Sequence, residues 1–152
     1  MRGSALPQVQ ERRAAGLPRL RVRDMATGAE HVVEHPEPAY GVWVQGNREF
    51  ATTTLRFLYS SLVTPMSVFD YDMASRARAL RKETVVPSGY DRTRYACARL
   101  TAPAPDGVAV PISIVYRTDF VRDGSRPLWL YGYGSYGVAV DPTFNPARLS
   151  LL

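Results

Sequence analysis

Alternation of apolar and polar positions is the main pattern along this chain, and turn residues separate the alternating runs. The runs at 20–23 and 31–33 flank the polar segment 24–28, which predicts a hairpin. Similar runs at 55–61, 67–71 and 79–85 predict three more strands. Together they indicate a meander of short antiparallel strands.

A faint internal repeat supports this interpretation. The words DMATG at 24–28 and DMASR at 72–76 occupy the same turn position, 48 residues apart. Four-stranded propeller blades recur roughly every 40 to 50 residues. The repeat fits the outer hairpins of two blades, and it also fits a chance similarity of two hairpin turns.

A second unit is predicted after the turn-rich junction at 86–91. Runs at 95–100 and 108–116 surround Pro105-Asp106-Gly107, a strong hairpin signal. The fully apolar run at 128–131 predicts a strand buried on both faces, as in the centre of an α/β sheet. The predicted fold class is therefore mainly β, with the end of one β unit followed by the beginning of an α/β unit.

Composition places the chain among ordinary globular proteins, with 45% hydrophobic and 22% charged residues. The single cysteine, Cys97, excludes an internal disulfide framework, and we expect a small strand side chain there. With only His31 and His35 as imidazoles, both expected at the surface or in turns, we predict no metal site and no cofactor. No apolar run could span a bilayer and residues 1–16 lack an apolar leader core, so we expect a cytoplasmic protein without a membrane partner.

The net charge of +5 raises the question of nucleic-acid binding. Arg19, Arg21 and Arg23 alternate with apolar residues, which places them on one face of a strand. Such arginines are more simply the solvated face of a half-buried strand. We therefore expect no nucleic-acid partner.

Gly132, Gly134 and Gly137 form a Gly-x-Gly-x-x-Gly match directly after the apolar run. A dinucleotide-binding loop would have to open a helix. The following sequence, VAVDP, opposes a helical first turn because it contains two β-branched residues and a proline. Since Tyr133 and Tyr136 occupy two variable positions of the match, the loop is better interpreted as one that presents phenols.

Several sequence motifs in the chain carry a family resemblance: SSLVTP at 60–65, VFDYD at 68–72, PISIVYR at 111–117 and PLWLYGYGSYG at 127–137. In this order the sequence resembles the oligopeptidase B branch of the prolyl oligopeptidase family of serine peptidases. The resemblance implies a seven-bladed propeller that caps an α/β-hydrolase domain and cleavage of short peptides after Arg or Lys. It implies that residues 1–86 are the last part of the propeller and that residues 87–152 are the first strands of the hydrolase domain.

The resemblance also implies roles for the glycine-rich loop. Acyl transfer needs a donor aimed at the developing oxyanion, and in this family the second tyrosine of the Tyr-Gly-Tyr-Gly word supplies it, which is Tyr133 here. Gly132, Gly134 and Gly137 would shape the loop around the site. A packed loop aromatic is the alternative for Tyr133.

Substrate contacts are implied for two further residues. Tyr136 stands where the family places an aromatic wall, and Asp141 stands where it carries a carboxylate facing cationic substrate side chains. Thr143 occupies a position that is acidic in some relatives. The alternative for Asp141 is an ordinary turn residue before Pro142.

No catalytic triad is recognisable in this sequence. Ser135 is not in a nucleophile elbow, because Tyr133 stands where that motif needs glycine. In the family the nucleophile, the acid and the base all follow this region. We therefore expect a fragment of a serine endopeptidase that is inactive alone, with short basic peptides as substrates of the full-length form.

Two kinds of partner follow from these expectations. A complementary chain that carries the rest of the hydrolase domain is one candidate. The alternative function is a non-enzymatic β module that binds a peptide or protein through exposed strand edges.

Overall fold

The computed structural model describes residues 6–152, which form nine strands in three antiparallel sheets. In this part of the chain no helix is long and apolar enough to cross a membrane. The strands are β1 (Gln8–Ala14), β2 (Leu17–Arg23), β3 (Glu30–Val32), β4 (Tyr40–Val44), β5 (Thr54–Ser61), β6 (Ser67–Asp72), β7 (Arg78–Glu83), β8 (Tyr95–Pro103) and β9 (Ala109–Arg117), and two short 3₁₀ helices span Arg92–Arg94 and Pro146–Leu151.

The predicted fold class is confirmed as mainly β, with propeller-type sheets. The first sheet has the order β1-β2-β3 and the second the order β4-β5-β6-β7. In both sheets, strands that are neighbours in sequence pair with each other, and a four-stranded meander of this kind is the form of a propeller blade. Strands β8 and β9 form a separate two-stranded sheet.

The core lies between the first two sheets. Along β2 the predicted alternation is confirmed, since Leu20 and Val22 are buried while Arg19 and Arg23 are exposed. Burying one side chain of this kind stabilises a fold by about 1.5–3 kcal/mol. The cluster that joins the sheets contains Leu17, Leu20, Val22, Val33, Tyr40, Val42, Leu55, Phe57, Tyr59, Tyr71 and Met73.

The two segments of the 48-residue repeat form the same kind of turn in the structure. Asp24 and Asp72 each begin a hairpin turn, and each carboxylate accepts hydrogen bonds from the backbone N–H groups two and three residues on, at 2.6–3.1 Å. Each turn closes with a 2.8 Å backbone hydrogen bond, from Gly28 to Asp24 and from Arg76 to Asp72. The same turn therefore joins β2 to β3 and β6 to β7.

The sequence analysis missed β1 and β4. Strand β1 is polar and exposed along most of its length, and only Val9 packs against the core. Its hairpin with β2 is closed by Ala15 and Gly16 at φ 50° and 78°, the left-handed conformations of a two-residue hairpin turn. An alanine at positive φ is uncommon, so the sequence gives a weak signal for this turn.

The predicted hairpin around Pro105-Asp106-Gly107 is confirmed as β8–β9, with Gly107 at φ 83°. The predicted strand at 128–131 is wrong. Leu128, Trp129, Leu130 and Tyr131 lie in irregular structure and are 61–77% exposed. An apolar run becomes a buried strand only when neighbouring strands take up its backbone hydrogen bonds, and none of the described strands pairs with it.

Candidate functional site

The loop that contains the glycine-rich word is exposed throughout. Residues 121–140 have no regular secondary structure, and all of them are exposed. Tyr133 is 48% exposed and Tyr136 is 93% exposed, at the tip of a turn in which the Val138 N–H donates to the Ser135 carbonyl at 3.2 Å. The loop therefore presents both phenols to solvent.

The three glycines of this loop differ in their backbone demands. Gly137 has φ 62° and follows Tyr136 at φ 55°, so the turn requires left-handed conformations at both positions. Around Gly132 and Gly134, by contrast, a side chain would meet open space, and neither has a positive φ. The expectation that these two glycines shape the loop around the site stays a prediction.

Immediately after the exposed loop, the chain is anchored on the blade. Pro142 is buried, and the Phe144 N–H donates to the Ser60 hydroxyl at 3.0 Å. The Phe144 ring packs edge-on against Tyr90, with 4.9 Å between centroids. The Tyr90 hydroxyl in turn donates to the Val63 carbonyl at 2.7 Å. Residues 142–144 therefore have a fixed position on the end of β5.

Asp141 stands at the start of this anchored segment and binds a guanidinium. Its Oδ1 and Oδ2 accept from Nη1 and Nη2 of Arg13 at 2.8 and 3.1 Å. The Asp141 side chain is only 14% exposed, whereas that of Arg13 is 44% exposed. The hydrogen bond from Arg13 to Asp141 raises the pKa of the arginine. A largely buried carboxylate thus meets a guanidinium in two parallel bonds, the geometry in which this pair binds best.

The blade end below this segment contains a satisfied polar cluster. The Glu37 carboxylate accepts hydrogen bonds from the hydroxyls of Tyr59 and Thr64. Burial, followed by the bond to Glu37, raises the pKa of Tyr59 far above its ordinary value. Ser60 donates to the Thr64 carbonyl at 3.0 Å. This cluster fixes the turn after β5, where the SSLVTP word lies.

Neither Cys97 nor the histidines contribute a reactive group to the loop. Cys97 lies on β8, as expected, and burial with the nearby Glu37 raises its thiol pKa to about 11, so it is protonated near neutrality. His31 hydrogen-bonds the Tyr71 hydroxyl at 2.9 Å. His35 lies in the irregular segment between β3 and β4, which fits the expected turn position, but its ring nitrogens are buried and the ring stacks on Tyr59 with 5.0 Å between centroids.

Comparison with known proteins identifies the family. The model of the prolyl oligopeptidase N-terminal beta-propeller domain matches residues 8–84. The chain belongs to the prolyl oligopeptidase family. Among curated relatives, dipeptidyl aminopeptidase BI of Pseudoxanthomonas mexicana is 40% identical over 92% of this chain and 19% of its own length. Protease 2 of Moraxella lacunata is 37% identical over 76% of this chain and 17% of its own length.

Solved structures of this family agree with the fold. Oligopeptidase B from Trypanosoma brucei, with covalently bound antipain, covers 92% of this chain at 33% identity and a TM-score of 0.79. Oligopeptidase B from Leishmania major covers 95% at 34% identity and a TM-score of 0.80. The chain spans about a fifth of the length of each of these proteins.

Proposed function

We propose that this chain is the part of a serine oligopeptidase that joins the last propeller blade to the catalytic domain, and that the whole enzyme hydrolyses short peptides after Arg or Lys. Membership of a serine peptidase family supports the reaction class. The observation that carries the substrate class is Asp141, a mostly buried carboxylate that binds a guanidinium through both oxygens. A peptide with an arginine side chain offers the same group.

The proposed division lies between residues 86 and 87. The family model ends at residue 84, and a backbone hydrogen bond of 3.0 Å from Gly89 to Val86 closes a turn just beyond it. The hairpin β8–β9 then starts a sheet of its own. These features support residues 87–152 as the first strands of an α/β-hydrolase domain.

Tyr133 is proposed to donate its phenol O–H to the oxyanion that forms when a nucleophile attacks the substrate carbonyl. Its half-exposed side chain leaves the hydroxyl accessible to a ligand. A donor of this kind acts only as negative charge develops, so it stabilises the transition state more than the bound substrate. Tyr136 is proposed to form one side of the adjacent substrate subsite.

The nucleophile, base and acid are proposed to come from residues other than these 152, on the same polypeptide or on a complementary chain. Ser135 is a poor nucleophile candidate, because Tyr133 stands where a nucleophile elbow needs glycine. The proposal therefore predicts no hydrolysis by this chain alone.

A second candidate activity is release of dipeptides from free N-termini, as the name of the relative from Pseudoxanthomonas mexicana suggests. The two activities differ in what they require of the substrate's amino terminus. An endopeptidase accepts a blocked N-terminus, whereas a dipeptidyl aminopeptidase needs a free one.

The test is a hydrolysis assay on the longest natural polypeptide that contains this sequence, using fluorogenic peptides with Arg, Lys or Pro before the scissile bond. Each peptide is supplied with a blocked and with a free N-terminus. The proposal predicts cleavage of blocked Arg and Lys substrates and poor cleavage of Pro substrates. Preference for Pro would contradict the proposed specificity, and cleavage of free N-termini alone would support the second candidate.

Replacing Tyr133 with phenylalanine in that polypeptide tests the oxyanion role. Loss of one oxyanion donor lowers kcat by about 10²- to 10³-fold with little change in KM. The matched control is Tyr131→Phe, which removes a phenol two residues away in the same exposed loop. Equal kcat values for the two variants would show that Tyr133 is not the donor.

A further inference from the structure

The Arg13–Asp141 pair joins distant parts of the chain. Arg13 lies near the end of β1, and Asp141 lies 128 residues further on, after the exposed loop. From this pair we infer that Arg13 is an internal competitor at Asp141, which a basic side chain of the substrate must displace. The inference rests on the proposed function in one respect, the assignment of Asp141 to the substrate site.

Asp141 is the fixed member of the pair. Its side chain is 14% exposed, and Pro142 directly after it is buried. Two residues further, the Phe144 N–H is held by Ser60 at 3.0 Å, and Nη1 of Arg148 donates to the Thr143 carbonyl at 3.0 Å. The carboxylate therefore keeps its place whether or not Arg13 occupies it.

Arg13 is the displaceable member. Its side chain is 44% exposed, and its other hydrogen bond, to the Gly16 carbonyl, is long at 3.4 Å. Because Arg13 is partly exposed, water competes for its charge, and the ion pair is weaker than one buried on both sides. A guanidinium from a ligand can therefore replace that of Arg13 without breaking any other part of the fold.

Competition of this kind lowers the affinity of Asp141 for every cationic ligand. The net binding free energy of a ligand at Asp141 is reduced by the free energy of the Arg13–Asp141 ion pair that it breaks. Cations that interact weakly with a carboxylate therefore bind poorly. A guanidinium forms two parallel bonds with a carboxylate, whereas an ammonium acts as a point charge. Asp141 itself therefore favours arginine over lysine in the ligand, and Arg13 lowers the affinity of both by the same factor.

The experiment measures binding to the 152-residue chain by NMR. Nα-acetyl-arginine amide is titrated while the backbone amide signals of residues 140–144 are followed, and Nα-acetyl-citrulline amide is the uncharged probe of the same shape. With Arg13→Gln we expect the arginine probe to bind about three- to fivefold tighter, because a half-exposed ion pair no longer competes. Arg13→Lys keeps the charge on one nitrogen that cannot form the two parallel bonds, and it is expected to lie between wild type and Arg13→Gln.

The matched control is Arg12→Gln, which removes the same charge one residue away, from a side chain whose hydrogen bonds within residues 6–152 go to Gln10. We expect almost no effect of this control on the arginine probe. Asp141→Asn should abolish the response, and the citrulline probe should not bind. Unchanged or weaker binding in Arg13→Gln, an equal gain in Arg12→Gln, or binding that survives Asp141→Asn would overturn the inference.

This experiment is independent of the hydrolysis assay. A chain that binds the probe as expected while the natural polypeptide lacks peptidase activity would disprove the proposed function alone. An active peptidase whose Arg13→Gln binding is unchanged would disprove the inference alone.

Discussion

Arg76 occupies a backbone conformation that suits glycine. It has φ 63° at the place in the β6–β7 turn where the β2–β3 turn has Gly28 at φ 75°. A left-handed conformation costs a residue with a Cβ about 1–2 kcal/mol of folded-state stability. Glycine avoids that cost, but its greater freedom in the unfolded chain costs about 0.5–1 kcal/mol on folding. We therefore predict that Arg76→Gly raises the free energy of unfolding by about 0.5–1 kcal/mol in urea denaturation.

The reciprocal substitution is the control for this prediction. Gly28→Arg places a side chain at the same position of the equivalent turn and should lower the free energy of unfolding. If Arg76→Gly is destabilising, positive φ does not strain the β6–β7 turn.

His35 makes stability depend on pH. Its two ring nitrogens are buried without a hydrogen-bond partner among the described residues, and burial, with the charge of Arg78, lowers its pKa to about 4. The unfolded histidine has a pKa of about 6.5, so between these values the unfolded chain binds a proton that the folded chain does not. Stability should be complete above about pH 6.5 and fall by up to about 1.4 kcal/mol per pH unit towards pH 4.

His35→Phe should remove most of this loss, as measured by urea denaturation between pH 7 and pH 4. The matched control is His31→Gln, because His31 bonds the Tyr71 hydroxyl and its pKa is lowered less strongly. If His31→Gln flattens the pH profile as much as His35→Phe does, His35 is not the specific source of the pH dependence.

At the residue scale, local patterns were predictable and distant pairs were not. The outward arginines of β2 and the aspartate-led turns follow from periodicity and turn chemistry within a few residues. The bond between Arg13 and Asp141 depends on the path of the chain between them, so the sequence indicated a carboxylate for a cation without indicating Arg13. Glu37 was missed for the same reason, since its hydroxyl partners are Tyr59 on β5 and Thr64 in the turn that follows β5.

At the element scale, Ser60 connects the blade to the segment after the exposed loop. Ser60 is 1% exposed, and its hydroxyl accepts from the Phe144 N–H and donates to the Thr64 carbonyl. We predict that Ser60→Ala increases the hydrogen-exchange rate of the Phe144 amide at least tenfold, because a lost hydrogen bond of about 1.4 kcal/mol corresponds to that factor.

Ser61→Ala is the matched control. The Ser61 hydroxyl accepts from the N–H groups of Val63 and Thr64 within its own turn, at 3.1 and 2.9 Å. The control should loosen that turn and leave the Phe144 amide protected. Equal exchange of Phe144 in both variants would mean that the segment is held by something other than Ser60.

Elements were predictable where one strand face is buried. Strands β2 and β5 alternate between buried and more exposed positions over most of their length, and clear turn residues bound them. Strand β1 was missed because it pairs at a sheet edge and places only Val9 against the core. The run at 128–131 was misassigned because apolar residues alone do not supply a neighbouring strand.

At the scale of the whole molecule, the family and the propeller-type sheets agree with the sequence prediction. The chain spans about a fifth of the length of its relatives. Tyr133, Tyr136 and Asp141 gain their proposed roles only beside a nucleophile that these 152 residues do not place in a recognisable motif.

The most direct test of the central claim is active-site labelling of the native product. An antibody against this chain captures the product from source cells treated with a fluorophosphonate probe, which reacts with activated serines, and intact mass spectrometry then measures what was captured. The account predicts one probe adduct, on a serine outside these 152 residues, in the captured polypeptide or in a partner captured with it. Capture of a product in which neither the polypeptide nor any partner carries the probe would contradict it.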